Sequence, residues 1–257
     1  MTPQPKSHPP ISDMSVIITG ATRGIGAGIA LKLARLGASL TLGYLDRDDQ
    51  AVSFKASLER ENPNILLHKG DLTTASGAGG IVRAAIARYG RVDALVSNMG
   101  PFLWKSIAET SQQEWDRMIA ANLSSHFYLV SQLLGAMRER GWGNFVFIGG
   151  VGSGQVTGHP RAAAYNAAKV GLAEFMRTLA IEEGPNGIRS NMIAPGVIDN
   201  GEYTDGFKER IVGDIPLGYV GQPDDIANAV AWLLSSDSRY VSGAIIDVSG
   251  GYHLTMR

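Results

Sequence analysis

The chain has no cysteine among its 257 residues. Disulfides, thiol nucleophiles and thiolate metal sites are therefore excluded, and the absence suits a reducing compartment, so a cytoplasmic, metal-independent protein is expected. An excess of charge of one sign is also lacking. The 23 basic and 24 acidic residues leave a formal net charge of -1, which gives no electrostatic reason to expect nucleic acid or an anionic membrane as partner. No uninterrupted apolar run reaches bilayer length, and the proline-rich start Met1-Thr-Pro-Gln-Pro-Lys-Ser-His-Pro-Pro10 lacks the apolar centre of a signal peptide. Residues 1–12 are read as a mobile extension, and residues 13–257 as one domain. The 44% hydrophobic content is enough for a single compact α/β core.

Met14 to Thr19 is a short β-branched run that leads into Gly20-Ala-Thr-Arg-Gly24-Ile-Gly26, and residues 27–36 follow at helical period. In such a strand, glycine turn and helix, the backbone can approach a ligand closely and free helix amides face an anion such as pyrophosphate. The spacing Gly-x-x-x-Gly-x-Gly departs from the commoner Gly-x-Gly-x-x-Gly fingerprint, and a tight connection is the plainer reading of glycines alone. The next strand, Ser39 to Tyr44, ends where an NAD-selective site places an acid on the ribose. Tyr44 stands there, flanked by Arg23 and Arg47, whose guanidinium geometry suits a 2′-phosphate. NADP(H) is expected over NAD(H); Asp46 is the competing acid, and both arginines could equally be solvated surface charges.

A helix from about Asp48 to Arg60, a strand Ile65 to Lys69, a helix from about Ser76 to Tyr89 and a strand Val92 to Ser97 continue the alternation, so the sheet should be parallel. Asp71, at a strand end, is placed to receive an adenine amino group or to cap a turn. Asn98-Met99-Gly100 and the aromatics Phe102 and Trp104 follow a strand, so this loop should border the cofactor, with the two aromatics as the wall of a substrate pocket or, equally, as packing at a subunit contact. Asn122 lies in a long helical region over residues 112–140, where a polar amide on an apolar face needs a partner, which makes it a candidate for holding a water or bending the helix. His126 reads as structural, since no second metal-type residue lies at helical spacing from it.

Tyr165-Asn-Ala-Ala-Lys169 lies in an alanine-rich helical stretch, so the phenol and the ammonium share one face. A free phenol has a pKa of about 10, and a neighbouring cation lowers it, which makes the pair a plausible proton donor or acceptor. An ordinary amphipathic surface is the alternative for these five residues taken alone.

With Gly20 to Gly26, Asp71, Asn98 to Gly100, Asn122 and Tyr165 to Lys169 in this order, the chain resembles the short-chain dehydrogenase/reductase family. Ile193-Ala-Pro195-Gly196-Val-Ile198, Gly218 to Ala227 and Ser242 to Gly251 extend the resemblance over about residues 13–251. It implies a single Rossmann-type, doubly wound parallel sheet with helices on both faces. It also implies hydride exchange between nicotinamide and a carbonyl or secondary alcohol carbon, with Tyr165 handling the proton, Lys169 holding the ribose and lowering the tyrosine pKa, and Asn122 fixing a water. The cofactor site it implies comprises Gly20, Thr22, Arg23, Gly24, Ile25 and Gly26 in the first turn. Tyr44, Arg47, Asp71, Leu72, Asn98 and Gly100 would line its adenosine side, and Tyr165, Lys169, Pro195, Gly196 and Ile198 its nicotinamide side. A homodimer or homotetramer built on the helical regions near 112–140 and 162–183 is implied as well.

The sequence departs from the family after the strand Asn144 to Ile148. Where relatives place a serine that bonds the substrate oxygen, this chain has Gly150 when aligned on the strand, or Gly152 when counted back from Tyr165. Ser153 is the nearest hydroxyl and is expected to replace it, with Thr157, Gln155 or a backbone amide as alternatives. A further expectation is a dinucleotide-binding scaffold or sensor weakened by that loss. Residues 199–217 read as a substrate lid. A 3-oxoacyl substrate is suggested by the resemblance to 3-oxoacyl-carrier-protein reductases, against which Ile181 stands where those enzymes tend to carry a basic residue.

Overall fold

The structure, a computed structural model, describes residues 8–201 and 203–255. Seven strands form one parallel sheet in the order β3-β2-β1-β4-β5-β6-β7. They are β1 (Ser15–Ile18), β2 (Ser39–Tyr44), β3 (Ile65–Lys69), β4 (Ala94–Ser97), β5 (Gly143–Ile148), β6 (Ile188–Pro195) and β7 (Ile245–Val248). Helices α1 (Gly24–Arg35), α2 (Asp48–Leu58), α3 (Ala75–Tyr89), α4 (Gln112–Ile119), α5 (Ser125–Arg140) and α6 (Ala163–Glu183) follow in turn, then α7 (Asp205–Val212), α8 (Pro223–Leu234) and α9 (Tyr252–Thr255). This is the expected doubly wound α/β architecture.

Strand periodicity explains the two-sided core. Val16 and Ile18 of β1, with Val146 and Ile148 of β5, face a cluster that includes Ile29 and Leu33 of α1 and Val230 and Leu234 of α8. Ile17, Phe145 and Phe147 point the other way, onto Ile81 of α3, Leu129 and Leu133 of α5 and Leu172 and Met176 of α6. Each fully buried side chain of this size contributes roughly 1.5–3 kcal/mol of transfer free energy.

The strand order reverses between β1 and β4, so the loops at their carboxyl ends diverge and leave a crevice. Buried Asp93 fixes the opposite end of these strands, accepting from the Ser15 amide at 2.9 Å and from Arg91 Nε at 2.9 Å. The crevice is therefore open on the side of Gly20, Asn98 and Gly149.

Three expectations change. Residues 8–12, placed in a mobile extension, pack on the domain: His8 meets Trp142 edge to face at 5.3 Å, and residues 11–13 form a turn of 3-10 helix whose Asp13 carbonyl accepts from Arg91. Residues 1–7 of that extension lie outside the described residues. The helical region 112–140 is not one α-helix, because a π-helical segment, Ala120–Ser124, joins α4 to α5. The segment 199–217 is not wholly loop but contains α7, capped by Thr204. No helix among the described residues is long and apolar enough to cross a membrane.

Candidate active site

The turn after β1 is shaped for close approach. Gly20 and Gly24 hold φ of +58° and +50°, and a Cβ on Gly26 would lie 2.0 Å from the Gly20 carbonyl oxygen. Asn98 fastens this turn to β4: its Nδ2 donates to the carbonyls of Thr19 (3.2 Å) and Gly20 (3.1 Å), and the Thr19 hydroxyl accepts from the Asn98 and Met99 amides. Helix α1 then starts with no side-chain cap and no acid in its first turn. By contrast, α3 and α4 are capped by Thr74 and Ser111. First-turn amides at α1 are thus left for an anion.

Thr22 and Ile25 are half-buried in this turn and Arg23 is exposed. Half-buried Tyr44 ends β2, and exposed Arg47 precedes α2 in a left-handed conformation with φ of 61°. Asp71 is exposed and its Oδ1 accepts from the Thr73 amide (2.9 Å) and hydroxyl (2.6 Å). Those bonds hold its carboxyl below the usual carboxylate range. The Leu72 side chain is buried in the second core cluster.

Asn122 lies in the π-helical segment, a register often found at functional sites, and is fully buried. Its Nδ2 donates to Pro101 O at 3.1 Å and Met118 O at 3.2 Å, while Oδ1 is buried without a partner. Gly100 makes room for that oxygen, since a Cβ there would lie 2.1 Å from Oδ1.

Tyr165 and Lys169 enter from one face of α6. Lys169 Nζ donates to the carbonyl of Ile148, the last residue of β5, at 2.9 Å, and lies 5.6 Å from the Tyr165 ring centroid. Burial lowers the ammonium pKa to about 8. Burial, with a smaller contribution from Tyr203, pushes the Tyr165 phenol up to about 12. This reverses the expectation that Lys169 lowers the tyrosine: desolvation is the largest cause, and it raises the phenol.

Gly150 stands directly under the phenol: a Cβ there would lie 2.6 Å from the Tyr165 hydroxyl oxygen. Of the two alignments open in the sequence, the strand-based one puts a residue against that hydroxyl. Buried Ser153 turns to the same residue, donating to Gly150 O at 2.7 Å and accepting from the Gly150 amide at 2.8 Å. Its proton is therefore committed to the Gly150 backbone.

Pro195 ends β6, and Gly196 passes so close to β7 that a Cβ would lie 2.6 Å from Ser249 Cα. Ile198 is buried and pairs with Gly221. Asn200 closes toward the glycine turn, 3.4 Å from where a Gly24 Cβ would be.

Two features were not legible in the sequence. Tyr203, from the segment read as a lid, is near enough to act on Tyr165. His126 is only half satisfied: Nδ1 meets Ser97 Oγ at 2.7 Å, whereas Nε2 is buried without a partner, and burial holds the imidazole neutral.

The chain is similar to known proteins over most of its length. A family model described as Enoyl-(Acyl carrier protein) reductase matches residues 20–253. The chain is 30% identical over 243 residues to the 3-oxoacyl-[acyl-carrier-protein] reductase FabG of Staphylococcus aureus strain Mu50, covering 93% of this chain and 98% of that protein. It is 31% identical over 253 residues to an L-rhamnose 1-dehydrogenase (NAD(P)(+)) of Azotobacter vinelandii, covering 95% and 98%. The crystal structure of a levodione reductase superposes with a TM-score of 0.86 at 29% identity, covering 94% of this chain and 98% of that one.

Proposed function

This chain belongs to the short-chain dehydrogenase/reductase family of oxidoreductases, which use a nicotinamide cofactor, and we propose that it exchanges a hydride between NADP(H) and a carbonyl or secondary alcohol carbon, with Tyr165 giving or taking the oxygen's proton. The observation that carries this reading is the pair of half-buried Tyr165 and buried Lys169, set against the end of β5 and over a glycine with no side chain of its own.

The residues present fit a dinucleotide. The turn from Gly20 to Gly26 and the uncapped start of α1 would hold the pyrophosphate, and Asn98 keeps that turn seated. Exposed Arg23 in the glycine turn and Arg47 just after Tyr44 suit a 2′-phosphate, which favours NADP(H). Asp71 keeps one carboxylate oxygen for the adenine side, next to Leu72. Lys169 spends one of its three donors on Ile148 and has two for ribose hydroxyls. Pro195, Gly196 and Ile198 would close the nicotinamide side, with residues 199–217 as the lid. The bound nicotinamide supplies or accepts the hydride.

A phenol with its pKa near 12 keeps its proton at neutral pH and suits donation to a carbonyl being reduced. Asn122 has its amide hydrogens on two carbonyls, so the open Oδ1 is the atom that would hold a relay water. Ser153 acts as a positioning residue, holding Gly150 in the conformation that admits the phenol. Exposed Trp115 and Phe127 on α4 and α5 support assembly as a homodimer or homotetramer.

One observation favours a second reading, a cofactor-binding scaffold with weakened catalysis: no side-chain hydroxyl occupies position 150. Calorimetric binding of NADPH and NADH, run beside NADPH consumption with a panel of ketones and 3-oxoacyl thioesters, separates the two. Turnover supports the enzyme; tight NADPH binding with no turnover across the panel supports the scaffold.

A further inference from the structure

The rim around Tyr165 is aromatic on two sides. Phe102, from the loop after β4, packs edge to face on the Tyr165 ring with centroids 4.9 Å apart and planes at 83°, and Trp104 tilts against Phe102 at 6.0 Å. Both keep more than half of their surface exposed, at 60% and 57%. Burying two large apolar rings is worth more than leaving them in water, so rings held open beside the half-buried Tyr165 have surface left for a guest. On the lid side Tyr203 stacks on Phe207 with centroids 4.7 Å apart. Tyr203 is close enough to Tyr165 to raise its proton affinity.

Four cations on or against the segments that carry these rings are engaged. Lys105 pairs with Glu114 at 2.5 Å, Arg161 with Glu109 at 3.4 Å and Lys208 with Asp199 at 2.5 Å. Arg210 lies over the Phe207 ring at 5.6 Å. A thioester delivered on a phosphate-bearing carrier needs cations it can pair with at the mouth, and each of these four already has a partner.

We propose that the substrate is a neutral, ring-bearing ketone or the corresponding alcohol, with Phe102, Trp104 and Tyr203 as the residues that select the ring. The proposal rests on the oxidoreductase reading above. Ring edges and faces from the two sides offer T-shaped and offset contacts to a flat guest whose carbonyl reaches Tyr165, and an extended alkyl chain uses such contacts poorly.

The test measures kcat/KM with NADPH for acetophenone and 1-indanone, for an open-chain methyl ketone of matching carbon count, and for acetoacetyl-coenzyme A, in wild type, Phe102→Leu and Trp104→Leu. The expected result is preference for the ring ketones, with each leucine variant lowering kcat/KM on acetophenone roughly threefold to tenfold. The open-chain ketone should change less, with NADPH affinity by calorimetry unaltered. Better turnover of the open-chain ketone or of acetoacetyl-coenzyme A overturns the proposal, as does a ring preference that survives both substitutions. No turnover of any carbonyl by protein that binds NADPH overturns the oxidoreductase reading, and this proposal with it.

Discussion

Gly150 and Tyr165 are so closely fitted that a single added carbon on the glycine would lie 2.6 Å from the phenol oxygen. Neither neighbour yields easily, because the tyrosine packs edge to face on Phe102 and Ser153 clamps the glycine backbone through two hydrogen bonds. Gly150→Ala should therefore lower stability by about 1–3 kcal/mol through overpacking. It should cut carbonyl reduction by about a hundredfold as the phenol is displaced. Thermal melting and steady-state kinetics check the two effects; an alanine variant with wild-type activity would show that the phenol works from another position.

Ser153→Ala removes the clamp without touching the phenol. A stability loss of about 1 kcal/mol is expected from the hydrogen bonds, and kcat should fall while NADPH affinity holds. Ser153→Thr, which retains the hydroxyl, should recover part of the kcat. If loss of the hydroxyl instead cost about 2.7–4 kcal/mol of transition-state stabilisation with stability unchanged, Ser153 would be a donor to the substrate oxygen.

Lys169 is a cation kept out of water, and its function sets its cost. Lys169→Met should melt at or above the wild-type temperature, since replacing a buried charge by an apolar chain of similar length is neutral or stabilising, and it should lose activity. The pH dependence has a definite sign. The folded-state pKa of about 8 lies below the ordinary 10.5, so the unfolded chain binds more protons between those values and stability contributed by this residue rises with pH across that window. Carbonyl reduction should decline above pH 8 as the ammonium is lost, and Lys169→Arg should move that limb to higher pH.

The cofactor preference depends on Arg23 and Arg47. Alanine at either position should weaken NADPH binding by about tenfold and leave NADH nearly unchanged, which titration calorimetry measures directly. Equal losses for both dinucleotides would contradict the 2′-phosphate assignment.

Much of this was legible in the residues. Runs such as Ser39 to Tyr44 and Ile65 to Lys69 became strands with those bounds, because short apolar runs between turns suit a sheet, the first buried along most of its length and the second at the sheet's edge. The four-residue spacing of Tyr165 and Lys169 put both on one face of α6. Helix α8 had its signals, Pro223 at the first position and a Gln222 to Asp225 capping box, yet was read only as a family motif. The π-helical segment was not legible, since α and π registers differ by one hydrogen-bond step within the same composition. Nor were the packing of His8 on Trp142 or the commitment of the Ser153 hydroxyl, because both depend on neighbours brought in by tertiary structure. The raised pKa of Tyr165 has the same origin: spacing reveals the nearby cation, but only the fold reveals the desolvation of the phenol.

The most direct test of the central claim is NADPH-linked carbonyl reduction by Tyr165→Phe beside wild type, with NADPH affinity measured on both. The account predicts a loss of about a hundredfold to ten-thousandfold in kcat, with cofactor binding retained. Wild-type turnover by the phenylalanine variant would contradict it, because a ring without its hydroxyl has no proton to give.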